Sequence, residues 1–484
     1  MLTCELGCAT SSPFSQDFVE VRSPNFHVTS SFGDGSTRAF VRDLEVFHAG
    51  VLAALGLPLD VQHNRPTRVI AFDGRGLSRP FAERGASASL VPTVDGPILM
   101  IRALGDFRER IDPDLRHRYA HRVLRDRTKG PLPLWYEEGR AQLASTIAQS
   151  EEVVLVGRSQ GEYRRALLDW RVQDLTKAMG RHSLAGASAP DRVRFEARSW
   201  AIVHTILFDS PRKRDGMMAL DAVRAASESN RPEERIKAVR ALGSEARLTE
   251  RVYDHLEEDR HRVDRMQIGG FVSADLVLEK IPAAVARDRL AELALDLGRA
   301  GLAKKYFERA LRDRSDFVPS LAGLALADAL AGRFSQIDEH VARVGVAAES
   351  DAVASSRLGQ ALTLWAASLP PGTERANRLR SARRYFERSL ELDPAQLRAR
   401  VGLGSSFLVP GTESERAREW FEAARRLSRG ALEMEIWLAR ADLQLGRPNA
   451  ARFRAEEALS RSHSRAIRKS AREILGAIEE RATH

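Results

Sequence analysis

The chain has 484 residues, of which 43% are hydrophobic and 29% charged, and its formal net charge is +9. This length exceeds what one hydrophobic core usually organises, so more than one domain is expected. The sequence contains no apolar run of roughly 18 residues, and it therefore predicts no membrane-spanning helix. Both cysteines, Cys4 and Cys8, lie near the amino terminus, which predicts a folded body without disulfides or thiolate metal ligands.

The positive charge is dispersed along the chain. Arginines alternate with acids in stretches such as EEDRHRVDR (257–265) and RAREWFEAARR (416–426). A mixed-charge helical surface is the favoured interpretation, because neither a block of lysines and arginines nor an aromatic-basic RNA-binding pattern is present. The prediction is that the protein binds no nucleic acid, and the opposite hypothesis rests on the net charge alone.

Residues 1–17 are predicted to form a disordered tail. The segment MLTCELGCATSSP (1–13) resembles the end of a bacterial lipoprotein signal, since a small glycine precedes Cys8 and a polar tether follows it. The charged and apolar parts of a secretory signal are missing. Two alternatives stay open. The polar tether favours a lipid anchor at Cys8 on the periplasmic side of the cell envelope, and the other alternative is a cytoplasmic chain with a frayed tail.

Residues 18–150 predict an α+β domain in which strands precede a pair of helices. Alternating or apolar stretches predict strands in FVEVRSPNFHVTSS (18–31), TRVIAFDG (67–74) and PILMIRAL (97–104). Capping and stop residues predict a first helix between Ser36 and Gly56 and a second that begins at Asp112-Pro113. A third helix is predicted to extend through Ile147.

The carboxy-terminal part repeats itself. YFERAL begins at Tyr306, YFERSL at Tyr385 and WFEAAR at Trp420, so the two intervals are 79 and 35 residues. A helical unit of about 34 residues is the tetratricopeptide period, and the longer interval then contains one expanded or degenerate repeat. We predict an all-α repeat solenoid in which Phe307, Phe386 and Phe421 occupy equivalent buried positions.

The stretch RHRYAHRVLRD (116–126) places His117 and His121 on one face of a predicted helix. Their spacing is that of the zinc-binding helix H-E-x-x-H, although histidines four residues apart also arise by chance as ordinary residues. The position of the glutamate is taken by Arg118. Its guanidinium is always protonated and has no lone pair to accept a proton, so it cannot serve as a general base.

The sequence resembles the bacterial peptidase MA-like (gluzincin) family, zinc metallopeptidases with tetratricopeptide tails. The resemblance is carried by the order and spacing of VRSPNFHVTSS (21–31), HRYAHRVLRDRTKGPLPLWYEEGRAQLAST (117–146) and ARSWAIVHTILF (197–208). It implies a zincin-like amino-terminal fold and a zinc cofactor, retained or lost. It also implies that the metal ligands are His117, His121 and Glu138, and that the catalytic glutamate is replaced by Arg118.

We therefore predict a degenerate, non-catalytic metallopeptidase domain fused to a repeat scaffold that binds a protein or peptide in its groove. The alternative is an active zinc metallopeptidase with an unrecognised general base. Glu137 is not expected to be that base, since it points about 100° away from Glu138 on a helix. The predicted domains are a gluzincin-like domain over 18–265, a connection over 266–285 and the repeats over 286–484.

Two further expectations concern single side chains. Without metal, Arg118 is predicted to pair with Glu137 or Glu138. His27, His48 and His204 are predicted to be packing or surface residues and not metal ligands.

Overall fold

The computed structural model describes residues 17–59, 65–74, 78–81, 88–103, 111–128, 130–150, 152–169, 175–209, 213–229, 231–258, 262–268, 276–409, 411, 413–428 and 430–483. Cys4 and Cys8 lie outside these residues, so the expectations for the amino-terminal tail stay predictions. Among the residues described, no helix is both long and apolar enough to cross a membrane.

The described strands are β1 (Phe18–Arg22), β2 (Phe26–Ser30), β3 (Thr67–Asp73), β4 (Ala88–Val91), β5 (Ile98–Ala103), β6 (Ala148–Gln149), β7 (Val153–Val156), β8 (Asp264–Gln267) and β9 (Leu278–Ile281). The described helices up to residue 257 are α1 (Asp34–Leu55), α2 (Pro113–Arg127), α3 (Leu134–Ser145), α4 (Gly161–Asp169), α5 (Ala189–Phe208), α6 (Lys213–Glu228), α7 (Pro232–Arg240) and α8 (Glu245–Glu257). The later helices are α9 (Ala283–Asp296), α10 (Ala300–Asp313), α11 (Val318–Leu330), α12 (Ile337–Ala348), α13 (Ala352–Ser368), α14 (Thr373–Leu392), α15 (Leu397–Leu408), α16 (Ser414–Leu427), α17 (Leu432–Gln444), α18 (Pro448–Arg461) and α19 (Arg465–Thr483).

The chain divides into two compact units, each built from separate segments. Unit 1 comprises Met1–Val41, Thr67–Phe107 and Leu276–Trp420, and unit 2 comprises Arg42–Pro66, Arg108–Asp275 and Phe421–His484. Each unit therefore combines amino-terminal and carboxy-terminal sequence. The domain boundaries drawn from the sequence at residues 265 and 285 stay a prediction.

Unit 1 contains a six-stranded sheet in the order β4-β5-β3-β2-β1-β9. β2, β3 and β5 run parallel, and Val28 lies between Val21 and Val69 with all three fully buried. The predicted strands at 18–31, 67–74 and 97–104 are confirmed. β9 was not predicted: this part of the expected connection pairs with β1 because the edge of the sheet offers it backbone partners.

The repeat helices α9 to α15 also belong to unit 1 and form successive helix pairs joined by short linkers. The first helices of these pairs begin at residues 283, 318, 352 and 397, which gives steps of 35, 34 and 45. The 79-residue interval is thus one ordinary step and one expanded step, as predicted. Its extra residues lie mainly in α13 and α14, which have 17 and 20 residues.

The repeated phenylalanines are equivalent, as the sequence predicts. Phe307 and Phe386 are fully buried, and a side chain added at Gly323 or Gly402, 16 residues further on in each case, would overlap their rings. Glycine thus leaves room for the aromatic ring of the preceding helix. In unit 2, Phe421 is fully buried and stacks on Trp437, again 16 residues on, with ring centroids 5.4 Å apart.

Unit 2 contains the antiparallel sheet β6-β7-β8 and helices α2 to α8 and α17 to α19. The last two helices bury alanines of α18 against isoleucines of α19. The predicted helices near 36–56, 112–126 and 134–147 are confirmed with small shifts of their ends. α1 begins at Asp34 instead of after Ser36, and α3 ends at Ser145.

Candidate metal centre

α2 presents the two histidines, and its local sequence explains how. Asp112 caps the helix by accepting a hydrogen bond from the backbone N–H of Leu115 at 2.7 Å, and Pro113 occupies the first turn. Tyr119 is fully buried on the opposite side. His117 and His121 are 5% and 4% exposed, so their donor atoms lie inside unit 2 and not in solvent.

α3 supplies the carboxylates and is buried along its whole length. Gly139 follows Glu138 directly, and a side chain there would overlap the backbone of Ser199 in α5. The glycine therefore allows α3 and α5 to approach closely, which fixes the position of the two preceding glutamates.

Four side chains converge in unit 2: His117, His121, Glu138 and His463, and one donor atom from each lies within 4.8 Å of the others. The Nε2 atoms of His117 and His121 are 3.1 Å apart. His463 Nε2 lies 3.4 Å from His117 Nε2 and 3.3 Å from His121 Nε2. Oxygens of Glu138 lie 3.3 Å from His117 Nε2 and 3.4 Å from His121 Nε2.

The three imidazole nitrogens lie 3.1–3.4 Å from one another, and the two oxygens of Glu138 face His117 and His121 separately, at 3.3 and 3.4 Å. Ligands that bind zinc tetrahedrally at about 2.0–2.1 Å are separated from one another by about 3.3–3.4 Å. Three imidazoles and a carboxylate are also chemically suitable, since zinc prefers nitrogen and oxygen donors of this type. The residues therefore fit a zinc ion at their centre, with His463 in the set beside the three residues predicted from the sequence.

His463 is the residue that sequence reasoning missed. It lies in the linker between α18 and α19, and 342 positions separate it from His121. A single histidine in RSHSR (461–465) has no ligand spacing to a second one. Only the packing of residues 421–484 within unit 2 brings it to the cluster.

Glu137 supports the cluster from outside. Its Oε1 accepts hydrogen bonds from His121 Nδ1 at 2.8 Å and from Arg125 Nε at 2.6 Å, and its Oε2 accepts one from Arg461. A carboxylate on the outer nitrogen of a metal-binding histidine fixes the tautomer and directs the Nε2 lone pair inward. Glu137 is therefore an orienting group.

Arg118 does not behave as predicted. Its guanidinium pairs with Asp114, one turn earlier on α2, at 2.8 Å, and its side chain is 39% exposed. The predicted pairing with Glu137 or Glu138 is wrong. The reason is geometric: Arg118 lies about 100° around the helix from His117, so its short-range partner is the acid four residues before it.

The electrostatics of the cluster follow from its burial. Desolvation lowers the pKa of His117 to about 4 and lowers that of His463 well below its usual range. Burial opposes the ionisation of Glu138, but His117 and His121 outweigh it and hold the pKa of this carboxyl low. At neutral pH Glu138 is therefore ionised and His117 and His463 are neutral, as metal ligands require. Burial disfavours the charged form of His121, but hydrogen bonds to Glu137 and Glu138 outweigh it and raise the pKa of this ring, so a metal that binds there displaces a proton from His121.

The remaining candidate histidines have packing roles, as predicted. His48 Nδ1 lies 2.9 Å from the Tyr119 hydroxyl, and His204 Nδ1 lies 2.7 Å from His255 Nε2. In unit 1, His27 pairs with Glu20. None of these three belongs to the convergent cluster of the described residues.

No protein-family model matches this chain, and no curated protein matches it. Among solved structures, it is similar to a thermophilic TPR protein of Thermus thermophilus, with 20% identity and a TM-score of 0.36. The similarity covers 40% of this chain and 98% of that one. The helical repeats of this chain are identified by their own period and packing.

Proposed function

We propose that this protein is a catalytically silent relative of the gluzincin-type peptidases that keeps a zinc site and uses its helical repeats to bind another protein. The observation that carries the proposal is the contrast between two neighbouring positions on α2. His117 enters the cluster of donor atoms, whereas Arg118 turns outward to Asp114. The proposed ligands are at the positions that a peptidase of this type uses, but position 118 has no proton acceptor.

The missing acceptor matters because hydrolysis of an amide needs one. A general base that removes the proton of the attacking water typically contributes about 10²- to 10⁴-fold to the rate. Glu137 carries a carboxylate, but both of its oxygens are used by His121, Arg125 and Arg461. It is committed to positioning His121 and does not replace the lost base.

The scaffold part of the proposal rests on the repeat helices. In unit 1, two aspartates on α9 are paired with arginines. Arg357 donates to Asp288 at 2.7 Å, and Arg398 donates to Asp296 at 2.9 Å. These charges are satisfied inside the unit, so we assign partner binding to other faces of the repeats. Extended surfaces of stacked helices are a general means of recognising proteins and peptides.

The test measures metal and activity on the same preparation. The full chain is purified without chelator, its zinc content is determined by elemental mass spectrometry, and cleavage of unfolded casein is followed with and without a chelator. We expect about one zinc per chain and no chelator-sensitive cleavage. His121→Ala should lose the zinc, whereas His182→Ala, at an exposed position, should retain it.

Two outcomes would contradict the proposal. Chelator-sensitive cleavage by the unmodified protein would identify a working peptidase. A purified chain that takes up no zinc when the metal is supplied would show that the cluster is held by hydrogen bonds alone.

One specific observation favours the alternative of a working peptidase. Glu196 on α5 accepts a hydrogen bond from the Tyr163 hydroxyl at 3.1 Å, and burial together with the charge of Glu138 raises its pKa to about 7. A carboxyl with such a pKa suits general acid–base chemistry at neutral pH. If the unmodified protein cleaves casein, loss of that activity in Glu196→Gln would identify the base.

A further inference from the structure

His463 reaches the metal cluster from the carboxy-terminal repeat part of the chain, outside the three segments that carry the peptidase resemblance. It follows α18, whose last residue is Arg461, and precedes α19, which begins at Arg465. Its Nε2 lies 3.3 and 3.4 Å from the Nε2 atoms of the two α2 histidines. The ring is thus placed at the same separation as the other donors and not merely nearby.

The linker that carries His463 is held in place on its amino-terminal side. Arg461 donates hydrogen bonds to Glu137 and, at 2.7 Å, to the backbone carbonyl of Leu132. Arg125 donates in return to the carbonyl of Arg461 at 2.7 Å. Two residues before His463, the chain is therefore tied to both α2 and α3.

The end of α18 has further anchors inside unit 2. Ser460 accepts a hydrogen bond from the backbone N–H of Leu184 at 2.8 Å, and Arg192 donates to the carbonyl of Leu459 at 3.3 Å. The contact of Arg192 satisfies a carbonyl that the end of a helix would otherwise leave without a partner. On the other side of His463, the hydroxyl of Ser464 caps α19.

The number of protein ligands separates two classes of zinc site. Catalytic sites have three protein ligands and an open position for water or substrate, whereas structural sites have four and are closed. With His463, the cluster has four donor residues within 4.8 Å of one another, and its three imidazole nitrogens are separated by 3.1–3.4 Å, close to the spacing of tetrahedral zinc ligands. We propose that His463 is the fourth ligand of the zinc, so that the metal is structural and fastens the α18–α19 hairpin to α2 and α3.

This inference rests on the proposed zinc binding but goes beyond the loss of the base. The fourth ligand comes from the linker between α18 and α19, so metal binding is thermodynamically coupled to the packing of residues 448–483. Removing the zinc should loosen this hairpin, and removing His463 should weaken the zinc site. A site with only the three predicted ligands would show neither effect.

The experiment compares His463→Ala, His463→Cys and His182→Ala in the full chain. Zinc affinity is measured by competition with a chromophoric chelator. We expect His463→Ala to weaken binding by at least about 100-fold, more than the 10- to 100-fold typical of an outer-sphere change. His463→Cys supplies another zinc ligand and should restore most of the affinity. His182→Ala should match the unmodified protein.

A second readout follows the coordination itself. Cobalt(II) replaces zinc in the unmodified protein and should give the strong visible bands of four-coordinate cobalt, which His463→Ala should change. Amide hydrogen exchange over residues 448–483 should accelerate when the metal is removed from the unmodified protein. These measurements do not depend on enzymatic activity.

The outcomes separate the two proposals. Equal zinc affinity and cobalt spectra in the unmodified protein and His463→Ala would overturn the role of His463 while leaving the three-ligand site intact. No zinc binding in the unmodified protein would overturn the proposed function itself. Weak binding in both His463→Ala and His463→Cys would indicate that the imidazole is needed for packing and would also overturn the ligand role.

Discussion

The Nε2 atoms of His121 and His463 lie 3.3 Å apart, although 342 positions separate the two residues in the chain. Both nitrogens face the same centre as His117 and Glu138. A metal bound there would cross-link the histidine helix to the last helical hairpin. Because it would close a long loop of the chain, it would restrict the unfolded state as well as bind the folded one.

Glu137→Gln should weaken zinc binding without removing a ligand. Glutamine has one acceptor oxygen where the carboxylate serves His121, Arg125 and Arg461. We expect a 10- to 100-fold loss of zinc affinity, as is usual when the outer partner of a metal-binding histidine changes. The free energy of unfolding should fall by about 2 kcal/mol, because the buried carboxylate is the anionic partner of the partly buried Arg125 and one of the two acidic partners of Arg461. Chelator competition and urea unfolding measure both effects.

The matched control is Glu234→Gln, on the exposed surface of α7, where the carboxylate pairs with Arg231 at 3.4 Å. An exposed ion pair of this kind contributes at most about 1 kcal/mol. If both variants lose the same stability, Glu137 has no special role.

The pH dependence of stability should carry a signature of Glu196. Burial raises its folded-state pKa from 4.5 to about 7, so the folded protein binds more protons than the unfolded chain between these values. The contribution of Glu196 to the free energy of unfolding is therefore fully present below pH about 4.5. It is lost as the pH rises through about 7, and the total loss is on the order of 3 kcal/mol. Glu196→Gln cannot ionise and should be more stable than the unmodified protein at pH 8 but not at pH 4.5.

Urea unfolding across this pH range measures the difference. Glu162→Gln, on the exposed surface of α4, is the control and should follow the unmodified protein at every pH. A constant difference between Glu196→Gln and the unmodified protein would show that Glu196 has an ordinary pKa.

Phe386→Ala should destabilise unit 1 by about 3–5 kcal/mol, the usual cost of removing a buried phenylalanine. The ring is fully buried, and Gly359 and Gly402 leave the space that it fills. Phe453→Ala makes the same chemical change on α18 at a position that is 66% exposed, and its effect should stay within about 0.5 kcal/mol. Similar losses in the two variants would contradict the repeat packing described here.

Arg118→Glu should not create a peptidase. The new carboxylate supplies the missing base, but in the proposed closed site His463 fills the position that a substrate needs. Casein cleavage should therefore stay absent in Arg118→Glu. It should be detectable only in the double variant that also carries His463→Ala. Activity in the single variant would mean that the fourth position is open.

Much of the fold follows from short-range patterns. Alternation predicts β1 and β2, the apolar runs predict β3 and β5, and Asp112-Pro113 predicts where α2 begins. The repeat period predicts both the equivalent phenylalanines and the expanded repeat. These features are readable because neighbouring residues alone determine caps, faces and periods.

The sequence by itself also determined that His117 and His121 share a face and that Arg118 cannot be a base, since helical spacing and side-chain chemistry suffice for both conclusions. Only the tertiary structure decided which residues complete the site. The pairing of β9 with β1 and the arrival of His463 beside His121 join segments hundreds of residues apart. No local pattern encodes such contacts, because they depend on how whole helices and strands pack, and that packing turned a three-residue motif into a four-residue cluster.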